Sequence, residues 1–197
     1  LIIDYCVGGS ILEGGQILSA MQHSQAPVYV VVKSLSASMC AVIGTLAKHS
    51  YAYPNAIIVH HQIAGMVIGN KKELEETLEE ANKWTKRILQ PVADKMGISM
   101  EEFVKQMYEH NSNGDWSEFA DDAIKLKWID TVVEDIRDTS YIKSPNSKEK
   151  EDEDKGSGVP LARLPEKVDA QGQRYVELPA PRPKDFYFLY NSDNYYR

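Results

Sequence analysis

Ser38, His61 and the pair Gly8-Gly9 are the residues of this 197-residue chain whose types and settings suit one chemistry, acyl transfer to a serine hydroxyl. That chemistry needs an exposed hydroxyl, an imidazole to take its proton, an acid to fix the imidazole's tautomer, and main-chain NH groups aimed at the developing oxyanion. Ser38 ends a small polar run and precedes the apolar Met39, Ala41, Val42, Ile43 and Leu46. A helix starting there puts the hydroxyl at the positive end of the helix dipole and leaves the Met39 amide without an intrahelical partner, free to serve as an oxyanion donor. The Gly8-Gly9 turn offers a second amide, because backbone without a β-carbon can approach a substrate closely. His60 and His61 end the run Ile57-Ile58-Val59, and side chains alternate across a strand, so only one of the two imidazoles can meet Ser38. Taken singly, these residues also read as a helix cap, a structurally satisfied histidine pair and a turn. Their order on successive strand ends favours the chemistry.

The elements that must position these residues follow from hydropathy period and turn residues. Residues 1–5 read as a short buried strand, Gly8-Gly9 as a sharp turn, and Ile11, Ile17, Leu18 and Met21 as the apolar face of a helix. The β-branched run over 28–32 predicts a central parallel strand covered on both faces, and the apolar stretch after Ser38 predicts a buried helix. Two short strands, 51–53 and 57–59, flank the Pro54-Asn55 turn, and the second delivers the histidines at its C-terminal end, where ligands gather in open α/β sheets. Residues 71–95 read as a long charged helix with Glu and Lys at pairing distances, which Pro91 is expected to kink or split. Ser99 and Glu102 have capping-box spacing. A third helical pattern, 117–127, leads to a closing edge strand at 128–133.

Beyond residue 137 the composition changes. The run 148–155 is entirely charged and 160–183 is Pro-rich without a periodic apolar face, so one globular domain over 1–137 and a disordered tail over 138–197 are expected. Phe186, Tyr187, Phe188, Tyr190, Tyr195 and Tyr196 at its end suit a docking peptide, with an unstructured terminus the preferred reading. A net charge of -7 argues against a general nucleic-acid binder. No run approaches the roughly 18 continuous apolar residues of a membrane span. Cys6 and Cys40 lie in apolar runs and read as small core residues of a reducing compartment rather than a disulfide framework or metal site. The chain opens on Leu1-Ile2-Ile3 without an initiator Met, so residues preceding it are expected.

In this setting the motifs Gly8-Gly9-Ser10, Ser36-Ala37-Ser38-Met39, Pro54-Asn55 followed by His61-Gln62, and Asp115 ahead of Ala123 and Ile129-Asp130 fall in the order found in the proteolytic subunits of Clp proteases. The chain resembles that family over roughly residues 1–135. The resemblance implies an α/β fold, a Clp/crotonase-like spiral of parallel strands and helices with a protruding strand-helix handle over residues 65–95, here followed by the tail. It implies Ser38 as nucleophile, His61 as general base, Asp115 as orienting acid, with Asp121 and Asp122 as nearby alternatives, and the amides of Gly9 and Met39 as oxyanion hole. Val7, Cys40, Ile63 and Lys127 stand where the family commonly has proline, glycine, proline and glycine, and none of these departures removes a catalytic atom.

The activity so implied is a serine endopeptidase that cleaves unfolded polypeptides inside a cytoplasmic chamber of self-associated, stacked rings. An ATP-dependent AAA+ unfoldase would feed it, and the chain itself would need no cofactor or metal and bind neither nucleic acid nor membrane. Three other readings remain open: a non-catalytic scaffold subunit of a mixed ring, a crotonase-type acyl-CoA enzyme that would rely on carboxylates rather than Ser38, and a Ser-Lys dyad, for which Lys33 and Lys48 are poorly placed.

Overall fold

A computed structural model of the chain describes residues 1–138 and 163–178. The elements are β1 (Ile2–Cys6), α1 (Ile11–His23), β2 (Tyr29–Ala37), α2 (Met39–Leu46), β3 (His49–Ala52), β4 (Ile57–His60), α3 (Lys71–Met96), α4 (Met100–His110), β5 (Trp116–Phe119), α5 (Ala120–Lys125), β6 (Thr131–Val132), β7 (Asp135–Asp138), β8 (Glu166–Val168) and β9 (Arg174–Leu178). They form two compact units, Leu1–Val133 and the part that begins at Glu134. The expected disorder of 139–162 and 179–197, with the aromatic docking segment, lies outside the described residues.

The β-branched run predicted to be central is central. Val30, Val31 and Val32 are buried on β2, and the six-stranded sheet runs β5-β4-β2-β3-β6 with β1 also on β2. β2 pairs in parallel with β3 through residues 29–32 and with β4 through residues 35–37. One nine-residue strand therefore carries both neighbours, and its last residue immediately precedes Ser38. The fold is a mixed α/β one, with β5 the antiparallel member of the sheet. α2, the C-terminal part of α3, α4 and the aromatic residues Phe103, Trp116 and Trp128 pack into the core beside it.

Several expectations need correction. β1 is a mostly exposed strand rather than a buried one: Ile3 alone is buried, whereas Ile2, Asp4 and Tyr5 are exposed. Pro91 does not split the long helix, since α3 runs unbroken from Lys71 to Met96. Around it Ile88, Leu89, Val92 and Ala93 are buried, and that burial outweighs the roughly 3 kcal/mol that an interior proline costs. The first turns of α3 have no buried residue and carry Lys71–Glu75, Lys72–Glu76 and Glu79–Lys83 pairs at 3.5, 3.7 and 2.7 Å. Asn70 caps the helix in a reciprocal box with Glu73, a signature legible as Asn-x-x-Glu. At α4 only half of the expected box forms: Ser99 accepts from the Glu102 amide, while the Glu102 carboxylate takes Gln106 instead. Residues 61–70 hold no strand, so of the strand-helix unit expected over 65–95 the described residues show the helix, α3, alone.

The predicted helix over 117–127 is helical only in α5, because Trp116–Phe119 is recruited as β5 by the edge of β4. Cys6 and Cys40 are not free core residues but a disulfide. Register Cys6↔Ser36 brings the end of β1 beside the start of α2, with Cα atoms 6.3 Å apart, across a sequence separation of 34 that no local pattern reveals. The domain limit at 137 falls inside β7, and residues 163–178 are not a disordered tail. β9 pairs in parallel with β7 and antiparallel with β8, Val176 is buried, and Arg137 bridges Asp135 and Asp169 while stacking on Tyr175.

Lys127 has φ 63°, in the left-handed region that costs a side chain about 1–2 kcal/mol. Glycine there regains more strain than it loses in unfolded-chain entropy, so urea unfolding of Lys127→Gly is expected to show a gain of about 0.5–1 kcal/mol. An unchanged or lower midpoint would show that the turn bears no such strain.

Candidate active site

Ser38 occupies the turn between β2 and α2 with φ 57° and ψ -127°, a conformation that only glycine adopts without cost. The surroundings hold it there. Its NH donates to the Val59 carbonyl at 2.9 Å and its carbonyl accepts from Val42 at 3.1 Å. Its hydroxyl caps nothing, so the sharp turn presents the side chain rather than consuming it in a helix cap. Gly8 makes the turn possible from the other side. A β-carbon at Gly8 would lie 2.5 Å from the Ser38 β-carbon and 2.8 Å from the Ala37 carbonyl oxygen, and Gly8 itself has φ +93°. Gly14 on α1 is also packed tight, since a β-carbon there would sit 2.1 Å from Met39 Cγ. In the sequence Gly8-Gly9 shows as a source of an amide, and the packing adds that Gly8 and Gly14 seat the Ser38-Met39 turn, which no local pattern reveals.

A cleft of about 70 Å³ brings the predicted residues together: Ser38, Met39, Gly9 and His61 all line it, with Gln62 to one side and Val42, Ile63, Ile88 and Leu89 supplying apolar walls. Alternation along β4 sorts the two histidines as expected. His61 is half-buried in the cleft, and His60 is fully buried in the core. The His61 Nδ1–H donates to the Gln62 carbonyl oxygen, so in the neutral tautomer this bond selects, Nε2 is the acceptor nitrogen. Among the described residues no hydrogen bond joins Ser38 to His61 or His61 to Asp115.

His60 belongs to the core. Its Nε2 meets the Thr45 hydroxyl at 3.0 Å, its ring stands edge-on to Phe103 and Trp128, and its Nδ1 has no hydrogen-bond partner among the described residues. Burial, with a smaller contribution from His61, pushes its pKa from 6.5 to about 3. In the unfolded chain the same ring takes a proton near 6.5, so between 6.5 and about 3 the unfolded state binds more protons. Stability from this group is complete above 6.5 and is lost as pH falls through that window, at most about 1.4 kcal/mol per pH unit. Taking the protein from pH 7 to pH 5 is expected to cost about 2 kcal/mol through His60 alone. In His60→Phe the urea midpoint should depend correspondingly less on pH, and an identical dependence in the variant would refute the assignment.

The strand register ends one pair short of Asp115 and His61. β5 pairs antiparallel with β4 as Ile57↔Phe119, Ile58↔Glu118, Val59↔Ser117 and His60↔Trp116, so Asp115 precedes the end of β5 that lies beside His60, and a further step of the same ladder would set it opposite His61. Gly114, at φ +76°, makes the turn before it while passing under Tyr108, whose hydroxyl donates to Gln62 Oε1 at 3.2 Å. Asp121 and Asp122 lie past the other end of β5, beyond the Ile57 end of β4, and Asp122 is ion-paired with Lys125 at 2.6 Å on α5. At about 3.4 Å per residue the strand carries them well away from His61. Among the described residues no group of three or more His, Cys, Asp and Glu could hold a metal ion.

Comparison with known proteins bears on this arrangement. Residues 1–135 match the family described as Clp protease. Over 106 residues the chain is 32% identical to the ATP-dependent Clp protease proteolytic subunit of Ligilactobacillus salivarius (strain UCC118), covering 53% of this chain and 54% of that protein. The chain thus spans about half the length of that curated relative. The match takes in β1 through β6, and with them every element that lines the Ser38 cleft, and on its extent the chain belongs to the Clp protease family.

Proposed function

We propose that the chain is a serine endopeptidase subunit that hydrolyses unfolded polypeptides through an acyl-enzyme. The observation that carries this reading is the Ser38 turn: a strained, uncapped serine in a cleft shared with His61, Met39 and Gly9. His61 Nε2 takes the Ser38 proton as Oγ attacks the scissile carbonyl, and the same imidazolium then protonates the leaving amine. The Gly9 and Met39 amides hold the oxyanion. Asp115 takes the His61 Nδ1–H in place of the Gln62 carbonyl and stabilises the imidazolium. The apolar walls Val42, Ile63, Ile88 and Leu89 suit an uncharged side chain beside the scissile bond.

The same reading extends to a ring-stacked, cytoplasmic chamber fed by an ATP-dependent AAA+ unfoldase. Support for assembly comes from the exposed Met66 and Ile68 before α3 and the exposed Leu74 and Leu78 on it, apolar side chains that a partner subunit would cover. A fluorophosphonate probe is expected to label Ser38 in the assembled protein, and sedimentation at micromolar concentration is expected to give a mass of many subunits. Intact, assembled protein that stays unlabelled would refute the peptidase, and a monomer would refute the chamber.

One observation favours a second reading. His61 is hydrogen-bonded to the Gln62 carbonyl and to neither Ser38 nor Asp115, as a non-catalytic scaffold subunit would tolerate. Peptide hydrolysis by the purified protein, abolished in Ser38→Ala, separates the two.

A further inference from the structure

The disulfide sits where it touches the chemistry. Cys6 ends β1, three residues before Gly9, and Cys40 lies in the first turn of α2, two residues after Ser38 and next to Met39. The cross-link therefore spans the two backbone segments that carry the proposed oxyanion amides. Between the end of β1 and the start of α1, residues 7–10 belong to no helix or strand, and Val7 is exposed. What orders this segment against the nucleophile is the contact of Gly8 with Ser38 and the covalent tie at Cys6. These two cysteines are the only ones in the chain, so this is the only intrachain disulfide it can make. Both residues are half-buried rather than sealed in the core.

We propose that Cys6 and Cys40 form a thiol–disulfide exchange site that sets the order of the Gly8-Gly9 turn, and through it the turnover at Ser38. The part concerning turnover rests on the peptidase reading above. Oxidation uses a low-molecular-weight disulfide. One protein thiolate attacks it, forming a mixed disulfide and releasing one small thiol, and the second protein thiolate attacks the mixed disulfide and releases the other. One sulfur–sulfur bond breaks for each that forms, and two electrons pass from the protein dithiol to the small disulfide. Cys40 is the better attacking group, because the start of α2 favours its thiolate. In the reduced protein the turn is held by packing alone. Its amide is then less well placed for an oxyanion, so the loss falls on kcat more than on KM.

The test compares the full chain after equilibration with oxidised or with reduced glutathione, thiols being counted by alkylation and mass. Oxidised protein is expected to lack free thiols, to protect the backbone amides of residues 7–12 from hydrogen exchange more than reduced protein does, and to turn over peptide about tenfold faster. The double variant Cys6→Ser, Cys40→Ser is expected to behave as the reduced protein under both conditions, whereas each single variant keeps one thiol that stops at the mixed disulfide in oxidised glutathione. Thiols that stay free in oxidised glutathione, equal exchange over residues 7–12 in both states, or equal kcat in both states would overturn the switch. Redox-dependent exchange without fluorophosphonate labelling in either state would uphold the conformational part and overturn the peptidase reading instead.

Discussion

Ser38→Ala is expected to lower peptide hydrolysis by about 10⁵ to 10⁶-fold and to abolish fluorophosphonate labelling, because nucleophile and base act as one unit in acyl transfer. His61→Ala should fall about as far, and the double variant no further. Asp115→Asn should retain the assembly and lose about 10⁴-fold, the cost of an imidazole held in the wrong tautomer. Asp121→Asn and Asp122→Asn, past the far end of β5, should stay within a few-fold of the parent in kcat/KM, measured on the same fluorogenic peptide. If Asp115→Asn matched the parent while either of the others lost activity, the register argument that pairs positions 61 and 115 would be wrong. Alanine at Ser38 also removes no hydrogen bond of the fold, since the hydroxyl caps nothing. An unchanged melting temperature therefore accompanies the expected loss.

Gly8→Ala is expected to impair both stability and activity from a residue that touches no substrate. Its new methyl group would start 2.5 Å from Ser38 Cβ and 2.8 Å from a backbone oxygen, and backbone cannot yield as a flexible side chain does. The φ of +93° adds strain that no rearrangement of neighbours relieves. Together these should cost about 3 kcal/mol of stability and, by displacing the nucleophile about an ångström, about 100-fold in kcat/KM. Gly15→Ala is the control: it lies on α1 with open space at its β-carbon, so it should gain about 0.5–1 kcal/mol by helix propensity. Denaturant unfolding and peptide kinetics on the two variants check both halves. A Gly8→Ala protein with parental kcat/KM would show that the Ser38 turn tolerates a lateral shift.

What could be read from the residues was what is local or periodic. The run Val30-Val31-Val32 announces a strand covered on both faces, and the His60-His61 pair announces one imidazole in and one out whatever surrounds them. The Ser38 turn was legible as the end of a strand and the start of an apolar helix, but its positive φ was not, since that is imposed by the hydrogen bond to Val59 and the packing of Gly8. Non-local pairing was invisible for the same reason. Residues 117–119 look helical by composition until the free edge of β4 claims them. The Cys6–Cys40 bond depends on strand register across 34 residues. Residues 174–178 found order because Asp135–Asp138 offered an edge to pair with, although their own composition predicts none.

The opposite facing of the two adjacent imidazoles sets a rule for length changes in this chain. β4 is four residues long, and a strand repeats every two, so one residue deleted between Ile57 and His60 would draw His61 into the buried position and turn His60 outward one step earlier along the strand. The nitrogen now kept bare by the protein interior would face water and peptide, and the ring now in the cleft would be entombed against Trp128 and Phe103. Every amino acid of the proposed machinery would still be present, and the machinery would be gone. Lineages and libraries of this scaffold should therefore accept substitutions along β4 far more readily than a change of its reading by a single step.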